Sequence, residues 1–165
     1  MSSSVYDFTF FNMTEYHVQF IDITPHSNET GELDSGTSEM LSWKYDPYER
    51  RTLACHASGY FNVDFYHVIQ CNLPWGSFIF AVEFSNIKKT KLGFSSYREG
   101  GKKAMSALDD HNYEWRRYHV GRIVTSNTND DFFVDFRSQP QSAKIVLQAK
   151  NERVGRELVP LGGEY

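Results

Sequence analysis

The stretch CNLPWGSFIFAVEFSN, residues 71–86, sets a Pro-Trp-Gly turn directly ahead of a dense apolar segment. Phe78, Phe80, Val82 and Phe84 recur at every second position with Glu83 on the other face, which is the period of a half-buried β-strand. Upstream, Phe61, Val63, Phe65, His67 and Ile69 alternate in the same way over 60–70. The two segments read as consecutive strands joined by a hairpin. Pro74 presets the φ needed early in the turn, and Gly76 supplies freedom at its end. Trp75 then stands on a loop at the end of a sheet. Its ring either packs back onto the protein or is held out for a partner.

The same period recurs along the chain. Tyr6, Phe8 and Phe10 share a face in 5–11, and Tyr16, Val18 and Phe20 do so in 16–23. Leu53, Cys55 and Ala57 align in 51–57, Phe132, Val134 and Phe136 in 131–137, and Ile145 and Leu147 in 143–149. Residues 113–124 add another segment, for about eight strands. A single short helix is predicted near 101–110, where Ala104, Met105, Ala107 and Leu108 fit a 3.6-residue spacing. These elements predict an all-β fold, an antiparallel β-sandwich with one short helix. One domain spans 1–150, and 151–165 reads as a loosely packed C-terminal tail.

Composition agrees with this. Aromatic residues make up 16% of the 165, with 13 Phe and 10 Tyr, and such side chains favour pleated, half-buried surfaces. A net charge of −4 gives no long-range attraction for nucleic acid, so none is expected as a partner. No apolar run reaches the length of a membrane-spanning helix, and MSSSVYDF has no signal-peptide character. A cytoplasmic or non-classically secreted protein is expected. Two cysteines, Cys55 and Cys71, leave a single disulfide or two free thiols open. The sequons at Asn12 and Asn28 matter only if the chain is secreted.

Several constellations carry possible chemistry. His67-x-x-x-Cys71 has ligand-like spacing and Cys55-His56 lies on another strand, but adjacent strand residues point to opposite faces. Two inward thiols are therefore preferred to a metal site. LDDHNYEW offers Asp109, Asp110, His111 and Glu114 without any nucleophile motif, so no catalytic residue and no cofactor is expected. Lys88, Lys89 and Lys91 form one basic cluster and Arg116, Arg117 and Arg122 another, with Phe94, Tyr97, Tyr113 and Trp115 nearby in sequence. Such a mixture suits single-stranded nucleic acid, phospholipid headgroups or acidic glycans, or, for the first cluster, a protected strand edge. Trp43, Tyr45 and Tyr48 make a second aromatic loop with the same ambiguity as Trp75.

The order of features along 12–149 resembles the actinoporin-like β-sandwiches. Asn12-x-Thr14 begins a strand, DSGTSE (34–39) looks like that family's Ser-Gly-Thr-Ser-Asp stretch, and FAVEFSN (80–86) resembles the strand leading into its membrane-binding loop. YREGGKKAMSALDD (97–110) stands where the family has its second short helix, and AKIVLQ (143–148) resembles its closing strand. The chain lacks the family's N-terminal pore-forming helix and the Pro that follows its strand-end Ser, here Ser85. A second resemblance runs to the aegerolysins, whose Cys-Pro-Trp-Gly-Ser turn is similar to Cys71-Asn-Leu-Pro74-Trp75-Gly76-Ser77 with two residues inserted. Both imply a lipid- or glycan-binding sandwich, with Ser85 carried over as the strand-end match.

The function expected is non-enzymatic recognition of a lipid headgroup at a membrane surface. Trp75 serves as interfacial anchor, Tyr97, Tyr113 and Trp115 frame a headgroup pocket, and Arg98 meets phosphate. The alternatives are a lectin of the same fold or a protein-interaction module, with a homo-oligomer possible in either case.

Overall fold

The computed structural model describes residues 2–23, 42–59, 64–74, 76–85, 90–124 and 129–149. They form two five-stranded sheets. The first runs β4(Arg50–Gly59), β1(Ser2–Met13), β10(Ser142–Ala149), β9(Asn129–Gln139), β8(Arg116–Val124). The second runs β3(Ser42–Tyr45), β2(Val18–Asp22), β5(Asp64–Leu73), β6(Gly76–Ser85), β7(Lys91–Ser96). All neighbours are antiparallel except β1 and β10, which pair parallel with Phe10 opposite Ile145. The all-β sandwich is therefore as the sequence predicts, with the first and last strands joined at the centre of one sheet.

The alternation fixes which faces meet. Tyr6, Phe8 and Phe10 from β1, Val18 and Phe20 from β2, Phe78, Phe80, Val82 and Phe84 from β6 and Ile145 and Leu147 from β10 are all buried in one core. Its rings interdigitate across the sheets: Phe10 meets Phe20 edge-on at 3.9 Å between centroids, Phe8 stacks on Phe80 at 5.7 Å, and Phe94 tilts against Phe136 at 4.4 Å. Offset and edge-on ring pairs add to the apolar burial, and this accounts for the aromatic content.

Two strands, β3 and β7, were not anticipated. In β3 only Trp43 and Tyr45 carry the alternation, and both turn inward; Tyr45 is in the core and Trp43 packs against it. In β7 the pattern is Leu92 and Phe94 around Gly93, a residue that usually weakens a strand. The helix α1(Gly100–Ser106) ends earlier than predicted. Beyond it, Asp109 pairs with Leu92 along the edge of β7, and 111–113 form a 3-10 turn. α1 lies on the outer face of the second sheet, where Ala104, Met105 and Leu108 pack with Val68, Ile79 and Ala81.

The hairpin is tighter than expected. Leu73 pairs with Gly76, so only two residues separate the paired ends, and Gly76 starts β6 without a positive φ.

Register also settles the cysteines. Cys55 lies opposite Tyr6, whose ring meets Phe84 at 5.0 Å, and Phe84 lies opposite Phe65. Cys71 is six residues further along β5, roughly 20 Å away at strand rise, far beyond the reach of a disulfide. Cys71 is a free thiol, buried, and burial pushes its pKa well up.

Tyr45 is the anomaly of the core. It is 1% exposed and its hydroxyl has no partner, although the Arg51 guanidinium sits 4.7 Å over its ring. Desolvation raises its pKa to about 12. Because an unsatisfied buried hydroxyl costs about 1 kcal/mol or more, Tyr45→Phe is expected to stabilise the fold by about 1 kcal/mol at pH 7. The raised value means that the unfolded chain releases this proton first. Stability should therefore fall as pH climbs from about 10 to about 12, and the variant should lose less over that window. Urea titrations at pH 7 and 11 check both signs.

Candidate functional site

The register sorts the predicted site residues into two ends of the sandwich. β1 ends at Met13 and β2 begins at Val18; β3 ends at Tyr45 and β4 begins at Arg50; β5 and β6 meet at Leu73 and Gly76; and β7 ends at Ser96 beside Phe78. The turns 14–17, 46–49, 74–75 and 97–99 thus share one end. Tyr97 and Arg98 lie there, as does the turn that carries Trp75, a residue outside the described ones. Ser85 closes β6 at the opposite end, about 30 Å from Gly76 at strand rise; only its backbone is described.

Tyr113 lies toward that opposite end. Arg137 Nε donates to the Tyr113 carbonyl at 3.1 Å and Ser138 Oγ donates to the Asp110 carbonyl at 2.9 Å, near the close of β9. Trp115 packs with Phe11, Met13 and Val146 on the outer face of the first sheet. The three residues expected to frame one pocket are therefore split: Tyr97 stands at the aromatic end with Arg98, Tyr113 lies by the close of β9, and Trp115 packs on the outer face of the first sheet. The reason is topological, since α1 and the segment after it carry the chain along the whole length of β7 before β8 begins.

What remains at the first end is a row of aromatic turns. Among the described residues the large hydrophobic side chains that stand exposed are Tyr48, at 52%, and Tyr97, at 60%. Along this sheet the order is β3, β2, β5, β6, β7, so Tyr48 flanks one edge, Tyr97 the other, and the Pro74–Trp75 turn lies between them. At the usual strand spacing the row is about 20 Å long. Tyr48 holds φ at 60°, a left-handed conformation that costs a non-glycine residue about 1–2 kcal/mol. It marks the tip of a turn closed by Glu49 N donating to the Asp46 carbonyl at 3.1 Å and by Asp46 N donating to Glu49 Oε1 at 2.8 Å. The Arg51 guanidinium beside Glu49 holds that carboxyl below the usual carboxylate range.

This turn is anchored from below by Asn12, which is wholly buried. Its Nδ2 donates to the carbonyls of Tyr16 at 2.7 Å and Asp46 at 3.1 Å, while its Oδ1 accepts from Thr14 N at 3.1 Å and Thr14 Oγ1 at 2.7 Å. Every polar valence of the amide is used, so this sequon presents no accessible amide for a glycan in the folded protein. Its role is to bind the β1–β2 turn to the turn that presents Tyr48.

The other candidate constellations are engaged internally. His67 and Cys71 are four residues apart on one strand, about 13 Å at strand rise, too far to share an ion. His67 Nδ1 instead lies 2.8 Å from Asp22 Oδ2, both buried. The His111 ring donates from Nε2 to the Leu92 carbonyl at 3.1 Å and sits edge-on against Phe136 at 4.9 Å. Arg116 pairs with Glu114; Arg117 grips the buried Asp135 through two nitrogens, at 2.5 and 2.7 Å; and Arg122 shares Asp131 with His119. Gln148 also donates to Asp135. The Arg122 and His119 contacts hold the Asp131 carboxyl below its ordinary range. The second basic cluster of the sequence is thus neutralised by its own neighbours. Lys88 and Lys89 of the first cluster, and the acidic-to-Ser stretch 34–39, lie outside the described residues.

The molecule is a two-sheet β-sandwich with exposed aromatic turns at one end. No known protein family, characterised protein or solved structure matches this chain.

Proposed function

We propose that the sandwich is a lipid-headgroup-binding module that meets a membrane surface through its row of aromatic turns. The observation that carries this is the pair of exposed tyrosines, Tyr48 and Tyr97, flanking the Trp75 turn at one end. Tyrosine and tryptophan combine an apolar ring with a polar edge, which suits the boundary between headgroups and acyl chains. Tyr48 supports the reading a second way. Its left-handed backbone holds a bulky ring at an exposed position, and such strain concentrates at functional positions. Arg98, exposed beside Tyr97, supplies a fork-shaped donor for a headgroup phosphate. The resemblance of the Trp75 turn to that of the aegerolysins agrees with this, whereas the resemblance of FAVEFSN points to the Ser85 end.

Tyr48→Gly tests the reading because stability and binding should move in opposite directions. Glycine relieves the left-handed φ, at some entropic cost in the unfolded chain, so a net gain of about 0.5 kcal/mol is expected. Combined with Tyr97→Ser, the change should weaken co-sedimentation with phosphatidylcholine and sphingolipid vesicles by about ten-fold. Unchanged pelleting of the double variant would refute the proposal. Pelleting absent even for the parent chain, together with binding to immobilised glycans, would favour a lectin instead.

A further inference from the structure

The first turn of α1 collects unpaired positive charge beside the aromatic row. Gly101, Ala104, Met105 and Leu108 face the sheet, with the helix packed over Val68, Ile79 and Ala81. The opposite side is left to Lys102, Lys103 and Ser106, all exposed. Arg98, also exposed, lies in the turn that leads into α1, four residues before Lys102. Among the described residues none of Arg98, Lys102 and Lys103 makes an ion pair, in contrast to Arg51, Arg116, Arg117 and Arg122, which all do. The nearby carboxylate, Glu99, is turned toward Ser96, whose Oγ donates to its Oε1 at 3.1 Å. In a chain of net charge −4, three free cations within six residues form a local field of opposite sign to the whole. Asp109 and Asp110 lie at the far end of the helix, which confines the positive patch to the aromatic end.

We infer that Arg98, Lys102 and Lys103 form an electrostatic contact for anionic lipid, adjoining the aromatic row and selecting membranes that carry net negative charge. The inference rests on the membrane reading above and adds Lys102 and Lys103 to the Arg98 that reading already uses. Its argument is charge complementarity: exposed unpaired cations next to interfacial aromatics gain most from an anionic surface. Each is expected to add about five-fold to vesicle affinity at low salt. The lysines are long enough to reach phosphate while their stems remain on the protein surface.

The test compares vesicles of pure phosphatidylcholine with vesicles containing phosphatidylserine, at low and at high salt. The variants are Lys102→Gln/Lys103→Gln, the same pair with Arg98→Gln, and Tyr48→Gly/Tyr97→Ser. These substitutions are on the surface and leave the core intact. Expected are tighter binding of the parent to anionic vesicles, a loss of about 25-fold in the lysine pair and more in the triple variant, little change in the lysine pair on neutral vesicles, and convergence at high salt, where such contacts are screened. Equal binding of parent and triple variant to anionic vesicles would overturn the inference while leaving the aromatic reading intact if the tyrosine variant still fails. Loss in the charge variants with none in the tyrosine variant would keep the patch and sink the aromatic row. Inhibition by free inorganic phosphate at low millimolar concentration would show a soluble-phosphate site and overturn the membrane assignment. Absence of pelleting with either vesicle would overturn both.

Discussion

Gly93→Ala is expected to cost about 3 kcal/mol or more and to loosen α1 from the sheet. A Cβ at Gly93 would lie 2.2 Å from the Ala104 carbonyl oxygen and 2.9 Å from both Ala107 C and Leu108 N. All three are backbone atoms, so no side chain can swing aside. The helix must lift as a body, which exposes Ala104, Met105 and Leu108 and strains the Leu92–Asp109 backbone pair (2.9 and 3.1 Å). Overpacking of this kind costs about 1–3 kcal/mol even where neighbours can shift. In a domain of this size each kcal/mol moves Tm by about 2–4 °C, so a fall of roughly 6–12 °C should appear in a thermal melt. Two other glycines serve as internal controls. Gly101→Ala meets only the Val68 Cγ1 at 3.0 Å, a side-chain atom that can yield, and gains helix propensity; it should be near neutral. Gly76→Ala meets nothing within 4 Å and should be harmless. Equal effects at all three positions would mean that the close approach of helix and strand is not real.

Asn12→Asp is the second large effect, and the replacement keeps the shape. It retains an acceptor for Thr14 but turns an oxygen toward the Tyr16 and Asp46 carbonyls, where Nδ2 donates at present. Two buried carbonyls lose their donor and a buried charge faces them, at a cost of about 3 kcal/mol or more. Asn12→Ala should lose a similar amount by leaving the same carbonyls and Thr14 without partners. The two variants separate on acidification. Protonating the aspartate restores one donor, so the loss in Asn12→Asp should shrink below about pH 5 while that of Asn12→Ala does not. A change under about 1 kcal/mol in either would show that the amide is not what fixes these turns. Because Asn12 ties down the turn of Tyr48, vesicle binding should fall in both.

Much of the fold was legible because burial is written at every second residue. The inward faces of β1, β6 and β10 follow directly from Tyr6-Phe8-Phe10, Phe78-Phe80-Val82-Phe84 and Ile145-Leu147. β7 was hidden by Gly93, which is there to admit the helix, so the reason it weakens the strand pattern is tertiary. β3 was hidden by its brevity. The site was less legible than the fold. Which residues are aromatic can be read from sequence, but which end they occupy depends on register and connection. Trp75 and Ser85 flank a single ten-residue strand, so their separation was available from strand length alone. The separation of Tyr97 from Tyr113 was not, because it depends on α1 and the segment after it running the length of β7. Trp43 and Tyr45 looked equivalent to Tyr48 in sequence; only the left-handed turn at Tyr48 turns one ring outward while the others enter or line the core. The unpaired state of Lys102 and Lys103 becomes visible only once Arg51, Arg116, Arg117 and Arg122 have found their carboxylates.

The membrane reading is tested most directly by amide hydrogen exchange of the parent chain with and without vesicles containing phosphatidylcholine and phosphatidylserine. Protection is predicted at the aromatic end, in peptides covering 46–49, 72–77 and 96–103, with none gained at 83–85 or 110–116. Protection at the Ser85 and Tyr113 end instead, or no change at the aromatic turns when vesicles are bound, would contradict it.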